Sequence, residues 1–292
     1  MELWKELRRR RLAVVGGAVI LLLVIVGIAG PWIAPYDPLA QDLSKSLLGP
    51  SMEHWFGTDS FGRDILSRVL YGARISLLVG IVSQGIAFSL GVAMGLVSGY
   101  YGGKVDALIM RLADVTLAFP TLLLLIAITA AFQPSLAVVF VAIGVVGWAG
   151  LARLVRSQTL VVRELDFVQA ARALGMNDAR LLARHVLPNT LAPAIIAVTL
   201  GMAGAILLEA ALSFIGLGAQ PPTPSWGSMI SDGRDFLRTA PWISVFPGLA
   251  IGLVVLGFNL FGDGLRDAMD PRLRGLGSGG PSRRRLPGIP AE

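Results

Sequence analysis

RRRRLAVVGGAVILLLVIVGIAGPWI, residues 8–33, decides the fold. Four arginines are followed by 22 residues without a charge. A bilayer core of about 30 Å takes about 20 apolar residues in an α-helix, so Leu12–Ile33 is long enough to cross it. The stretch is too long for the apolar part of a signal peptide, and no small-residue cleavage site follows it. It reads as a retained anchor.

Five further stretches repeat the pattern: Ile75–Ser98, Val105–Ala131 (interrupted by Pro120), Leu136–Ala152, Leu191–Ile215 and Trp242–Phe261. None alternates with period two, and lipid demands that every backbone polar group be paired internally. The spans are therefore helices, and the expected fold class is an all-α membrane protein with six transmembrane helices. Composition agrees: 54% of the 292 residues are hydrophobic and only 15% charged, against about 25% charged in soluble proteins. Pro120 is expected to kink the third span.

Charge sets the orientation. With the N-terminus in the cytoplasm, segments 1–11, 99–111, 152–190 and 262–292 carry 19 of the 25 Lys and Arg, and the outer loops 34–74 and 216–241 carry 6. Cytoplasmic loops hold the excess of basic residues, so the chain reads as N-in, C-in. The net charge of +6 is then a consequence of topology, and no nucleic-acid partner is expected; the lipid bilayer is.

Outside the spans, residues 34–57 read as irregular. Residues 60–73 read as an amphipathic helix capped by Ser60, with Phe61, Ile65, Leu66, Val69 and Leu70 on one face and Arg63, Asp64, Ser67 and Arg68 on the other. Such a helix is expected to lie flat among the headgroups. The long inner segment, 153–190, holds a helix over Glu164–Leu174, a glycine, Gly175, suited to a C-terminal cap, and a second helix that Asn177 caps and Pro188 ends. Val168, Ala171, Leu174, Leu181, Leu182 and Val186 give this pair of helices apolar surface to bury, so a compact cytoplasmic knob is expected. The tail 263–292 reads as cytoplasmic and, from about residue 275, where it is rich in Gly, Ser, Pro and Arg, as disordered, with Arg283, Arg284 and Arg285 placed to touch anionic lipid.

Signals for chemistry are weak. The chain has no cysteine and two histidines, His54 and His185, which fall on opposite sides of the membrane and share no metal. The stretch SGYYGGKV, 98–105, lacks the first glycine of a phosphate-binding loop and has Val105 where Ser or Thr would hold magnesium. No G-x-S-x-G elbow occurs. An enzyme is not expected. Asp114 and Glu209 fall inside spans, where carboxylates line a pathway or pair between helices. Small residues at Gly91–Gly95 and Gly201–Gly204 favour close helix contact.

The segment QAARALGMNDARLLARHVLPN, 169–189, resembles the signature loop of binding-protein-dependent ABC permeases: Glu-Ala-Ala, three residues, Gly, nine residues, Ile, one residue, Leu-Pro. Gln169, Ala170, Ala171, Gly175, His185, Leu187 and Pro188 keep the spacing; Gln169 stands for Glu and His185 for Ile. The segments 57–77, 209–230 and 262–274 resemble the C-type permeases of dipeptide, oligopeptide and nickel importers. The resemblance implies a type I ABC importer fold with a permease core over 75–262 and a coupling loop over 153–190. It further implies a second permease subunit, two cytoplasmic ATPases that carry ATP and magnesium, and a solute-binding protein outside, with no cofactor on this chain. Peptide is the expected cargo; nickel chelates and glutathione are alternatives within the family. A stand-alone carrier is the competing reading, and no inverted repeat supports it.

Overall fold

In the computed structural model, residues 7–8 and 10–269 are described; the tail beyond Met269, with Arg283, Arg284 and Arg285, lies outside them. The described residues form helices and loops, with a single isolated bridge, Thr58 to Asp64, in place of any strand. Five helices are long and apolar enough to cross a membrane: α1 (Arg11–Ile33), α2 (Ile65–Tyr101), α5 (Leu136–Val162), α8 (Leu187–Phe214) and α10 (Trp242–Met269). Between α2 and α5 lie α3 (Gly103–Ala118) and α4 (Thr121–Ala131). Two short helices, α6 (Asp166–Ala173) and α7 (Asp178–Leu181), precede α8, and α9 (Trp226–Gly233) precedes α10.

The third apolar segment is not kinked at Pro120 but broken, with α3 and α4 meeting at 92°. A residue before proline is pushed out of the helical region, and Phe119 is extended, with φ −87° and ψ 140°. Neither half reaches across about 30 Å of hydrocarbon by itself.

The helix expected to float at 60–73 is instead the first part of α2. Ser60 does not cap it. Asp64 does, accepting from the Ser67 amide at 2.8 Å and the Ser67 hydroxyl at 2.7 Å. The polar face is not solvated either: Arg63, Asp64, Ser67 and Arg68 are all buried. The outer loop folds over them. Tyr36 donates its amide to Ser67 Oγ, and Arg68 donates to the Pro38 carbonyl. Asp59 receives Arg63 Nε at 2.6 Å, and Arg63 also faces Asp232 of α9 at 3.7 Å. Burial raises the Asp232 carboxyl above its ordinary value, against the pull of Arg68 and Arg63. Trp242 Nε1 donates to the Thr58 carbonyl, Trp226 Nε1 to the Val69 carbonyl, and Phe56 stacks on Phe246. Helical spacing could not reveal this packing, because its partners come from the preceding loop and from Trp226, Asp232, Trp242 and Phe246 far along the chain.

Inside the membrane, α2 and α5 form the closest helix pair. Gly91, Gly95 and Gly99 are spaced by four, so they line one face of α2 and let the backbone of α5 approach. A Cβ added at Gly95 would stand 2.6 Å from the Ala152 carbonyl and 2.7 Å from Val155 Cβ. Overpacking of this kind costs about 1–3 kcal/mol. Gly95→Leu is therefore expected to lower the thermal stability and membrane abundance of the protein, read by fluorescence-detected gel filtration. Parental stability would show that the helices are not this close.

Candidate coupling knob and pathway residues

α5 runs on through Val162, ten residues past the end expected for its span, so the protruding part of the inner segment is 163–186. α6 ends in a glycine turn. Gly175 has φ +79°, its amide bonds the Arg172 carbonyl at 3.0 Å, and the Met176 amide reaches back to Ala171 at 3.2 Å. This pair of bonds is the Schellman arrangement that requires a left-handed residue. Asn177 then caps α7, accepting from the Arg180 amide.

Pro188 does not end the second helix. Leu182–Val186 widens into a π turn, with the Leu187 amide bonded to the Leu182 carbonyl, and α8 continues directly. A proline clashes with the carbonyl four residues earlier; the widened turn just before Pro188, in the first turn of α8, makes room for it. α7, the π turn and α8 make one helical run, Asp178–Phe214.

The knob has its own core. Val168, Ala171, Leu181 and Val186 are buried against Tyr100 and Val162, with Met176 and Leu182 packed on the edge. Polar contacts fasten it to the membrane helices. The Tyr100 hydroxyl donates to Asp178 at 2.5 Å, and Arg163 donates to the Gly99 carbonyl at 2.7 Å. One level deeper, Arg156 grips Asp106 of α3 with two bonds of 2.5 Å.

The other face of α6 is bare. Phe167, Ala170 and Leu174, at helical spacing, are exposed, Leu174 at 89%. Leu174, expected to be buried in the knob, is thus the exception among its apolar residues. Ala171, one position on from Ala170, faces inward. Gln169 donates its amide nitrogen to the Arg163 carbonyl at 2.8 Å, closing the entry turn; a carboxylate has no hydrogen to donate. His185 is half-buried, its ring 6.2 Å from that of Phe167, and Leu187 packs beside Val92, Leu151 and Val155. Pro188 is exposed.

The two intramembrane carboxylates part company. Glu209 has no exposed surface. It accepts from Ser213 Oγ at 2.6 Å, and Ser213 Oγ accepts from the Ala219 amide, so the carboxylate fastens the end of α8 to the outer return loop. Asp114 forms an ion pair with Arg153 of α5, each side chain about half exposed. Arg153 was read as a loop residue; with α5 extended, it lies on a helix opposite α3. Tyr100 and Asp106 carried no local signal, since their partners are 78 and 50 residues away.

Comparison with known proteins fits this architecture. Residues 91–275 match the family described as binding-protein-dependent transport system inner membrane component. Residues 1–50 match the N-terminal TM domain of oligopeptide transport permease C. The chain is 49% identical to the dipeptide transport system permease protein DppC of Alkalihalophilus pseudofirmus, covering 94% of this chain and 90% of that one. It is 46% identical to the glutathione transport system permease protein GsiD of Escherichia coli, over 94% and 91%. Among solved structures, the inward-facing MetNI methionine ABC transporter superposes with a TM-score of 0.57 at 17% identity, over 70% of this chain and 97% of that chain. An amino acid ABC transporter gives 0.53 at 15%, over 67% and 91%. The family match runs from Gly91, within α2, through α10. The chain belongs to the binding-protein-dependent transport system inner membrane component family: it is a multi-pass inner-membrane permease subunit of an ABC importer.

Proposed function

We propose that the chain forms one half of a translocation path for peptides, driven by separate ATPases that dock on its cytoplasmic knob. The observation that carries this reading is the bare apolar face of α6. Phe167, Ala170 and Leu174 stand on a helix whose opposite face is locked into its own core. A rigid element with an unsatisfied apolar ridge suits a partner's groove. Gln169, Ala171, Gly175, His185, Leu187 and Pro188 serve the same unit by shaping and mounting it. ATP and magnesium belong to the partners. The N-terminus and the knob face the cytoplasm, as the distribution of Lys and Arg supports. A second permease completes the path, and a solute-binding protein delivers cargo at the outer cap. Peptide is favoured by the dipeptide permease relative; glutathione, itself a tripeptide, is the second reading, supported by the relative at 46% identity.

The test is reconstitution of the chain with its ATPases, second permease and binding protein in proteoliposomes. ATP-dependent uptake of labelled dipeptide, absent when the chain is reconstituted alone, is the expected result. Uptake by the chain alone would make it a carrier.

Gly175 gives a finer test. A Cβ there meets nothing within 4 Å, so only backbone strain opposes substitution. A left-handed non-glycine residue costs about 1–2 kcal/mol, and a β-branched one is worst. Gly175→Val is expected to lower uptake roughly 5- to 30-fold, with Gly175→Asn close to parental. Equal activity of the two variants would remove the turn from the coupling mechanism.

A further inference from the structure

A cleft of about 260 Å³ lies between α2, α5 and α8. Gln84, Gly147, Gly150, Leu154 and Gly201 line it. Its depth is informative. Gln84 and Gly201 lie within three residues of the midpoints of the apolar spans Ile75–Ser98 and Leu191–Ile215, so the cleft reaches the middle of the membrane, where transporter substrate sites are found. Gln84 is its polar group. The side chain is half-buried, donates one hydrogen to the Gly201 carbonyl at 3.1 Å, and its Oε1 accepts no hydrogen bond among the described residues. Gly150 is exposed, and a Cβ there would meet nothing within 4 Å.

The flank beside the cleft is not a lipid surface. Arg153 follows Gly150 by three residues, about 4.5 Å along the helix, and with Asp114 it is half exposed. Arg153 lies toward the cytoplasmic end of α5, and an ionised side chain at the edge of a span faces water or protein in preference to lipid. Pockets that enclose a whole small ligand measure about 300–1,000 Å³. A smaller cleft on such a flank holds part of one, as half of a shared path must.

We propose that this cleft is where the chain touches the peptide in transit, with the Gln84 side-chain amide hydrogen-bonding the peptide backbone. An amide both donates and accepts, so it pairs with peptide groups without selecting a side chain. This rests on the importer reading above and on its peptide cargo.

The chain has no cysteine, so single cysteines report position without background on it. In the reconstituted complex, Gly150→Cys and Gln84→Cys are expected to react with a charged, membrane-impermeant thiosulfonate, and peptide-loaded binding protein with ATP is expected to slow them at least threefold. Ile25→Cys, on the exposed side of α1, is expected to react only with a membrane-partitioning maleimide. In complexes that assemble at parental yield, Gln84→Leu and Gly150→Leu are each expected to reduce dipeptide uptake at least tenfold. Gly150→Leu adds bulk to the cleft from a position where a Cβ would meet nothing within 4 Å, and assembly at parental yield separates loss of uptake from loss of helix packing. Reaction of Gly150→Cys with the lipid-soluble reagent alone would overturn the proposal, as would uptake within twofold of parental in both leucine variants. If the parental complex moves no peptide, the cargo reading fails; labelling by the charged reagent would still put the cleft on the water path, and its absence would sink the cleft as well.

Discussion

Leu174→Glu is expected to leave the chain in the membrane at parental levels and to abolish its ATP-driven uptake. Leu174 is 89% exposed and contributes nothing to the knob's own core, so a charge there costs the isolated chain almost nothing. With the ATPases docked on this face, the same position would sit at the end of the apolar ridge that starts at Phe167, beside the glycine turn. Apolar anchors contribute about 2–4 kcal/mol each to an interface, and a buried unpaired carboxylate adds a desolvation penalty. At 1.4 kcal/mol per factor of ten, assembly should weaken roughly 30-fold or more. Co-purification of the ATPases measures it directly. Leu174→Ala should show a smaller loss, because it removes the anchor without inserting a charge. Full ATPase recovery with Leu174→Glu would place the docking face elsewhere on the chain.

The second large effect is expected at the outer cap. Arg63 is 8% exposed and pairs with Asp59 at 2.6 Å. Removing one partner of a buried pair costs about 3–5 kcal/mol, mostly because the other charge is stranded. Asp59 retains Arg68 at 3.7 Å, so Arg63→Ala belongs at the lower end, about 3 kcal/mol. The double variant Arg63→Ala with Asp59→Ala should lose less than the sum of the two single losses, since both singles break the same bond. Thermal unfolding of the purified complex in detergent gives both numbers. A double variant whose loss equals the sum of the two single losses would show that the pair is not coupled.

The sequence made the membrane helices legible because lipid imposes a requirement on each segment separately: enough apolar residues in a row, with charges at the ends. The glycine turn at Gly175 and the Asn177 cap were legible for a similar reason, since each satisfies orphaned backbone groups within a few residues. The misreadings share one cause. Arg63, Asp64, Ser67 and Arg68 look like a solvated stripe until residues 36–59 and Asp232 are brought over them. Pro188 looks like a terminator until the π turn before it is seen. Pro120 was recognised as disruptive, but a right-angle break differs from a kink only through the company α3 and α4 keep. Among the intramembrane carboxylates, sequence could locate Glu209 and Asp114 but not tell a sealed fastening from an ion pair on an open flank. Gln84 carries no signal in the sequence, because it is an uncharged amide in an apolar run and its cleft neighbours on α5 and α8 lie 63 to 117 positions away.

The helical run Asp178–Phe214 is 37 residues long, about 55 Å if regular. It begins in the cytoplasmic knob and ends at the Glu209–Ser213 fastening beneath the outer cap. Such an element behaves as a connecting rod: a push at one face arrives at the other without waiting for intermediate parts to reorganise. The π turn at Leu182–Val186 is a joint in that rod, so its stiffness would set how much of each stroke reaches the far side. Under the importer reading, opening on one face and closing on the other would then be two ends of a single displacement.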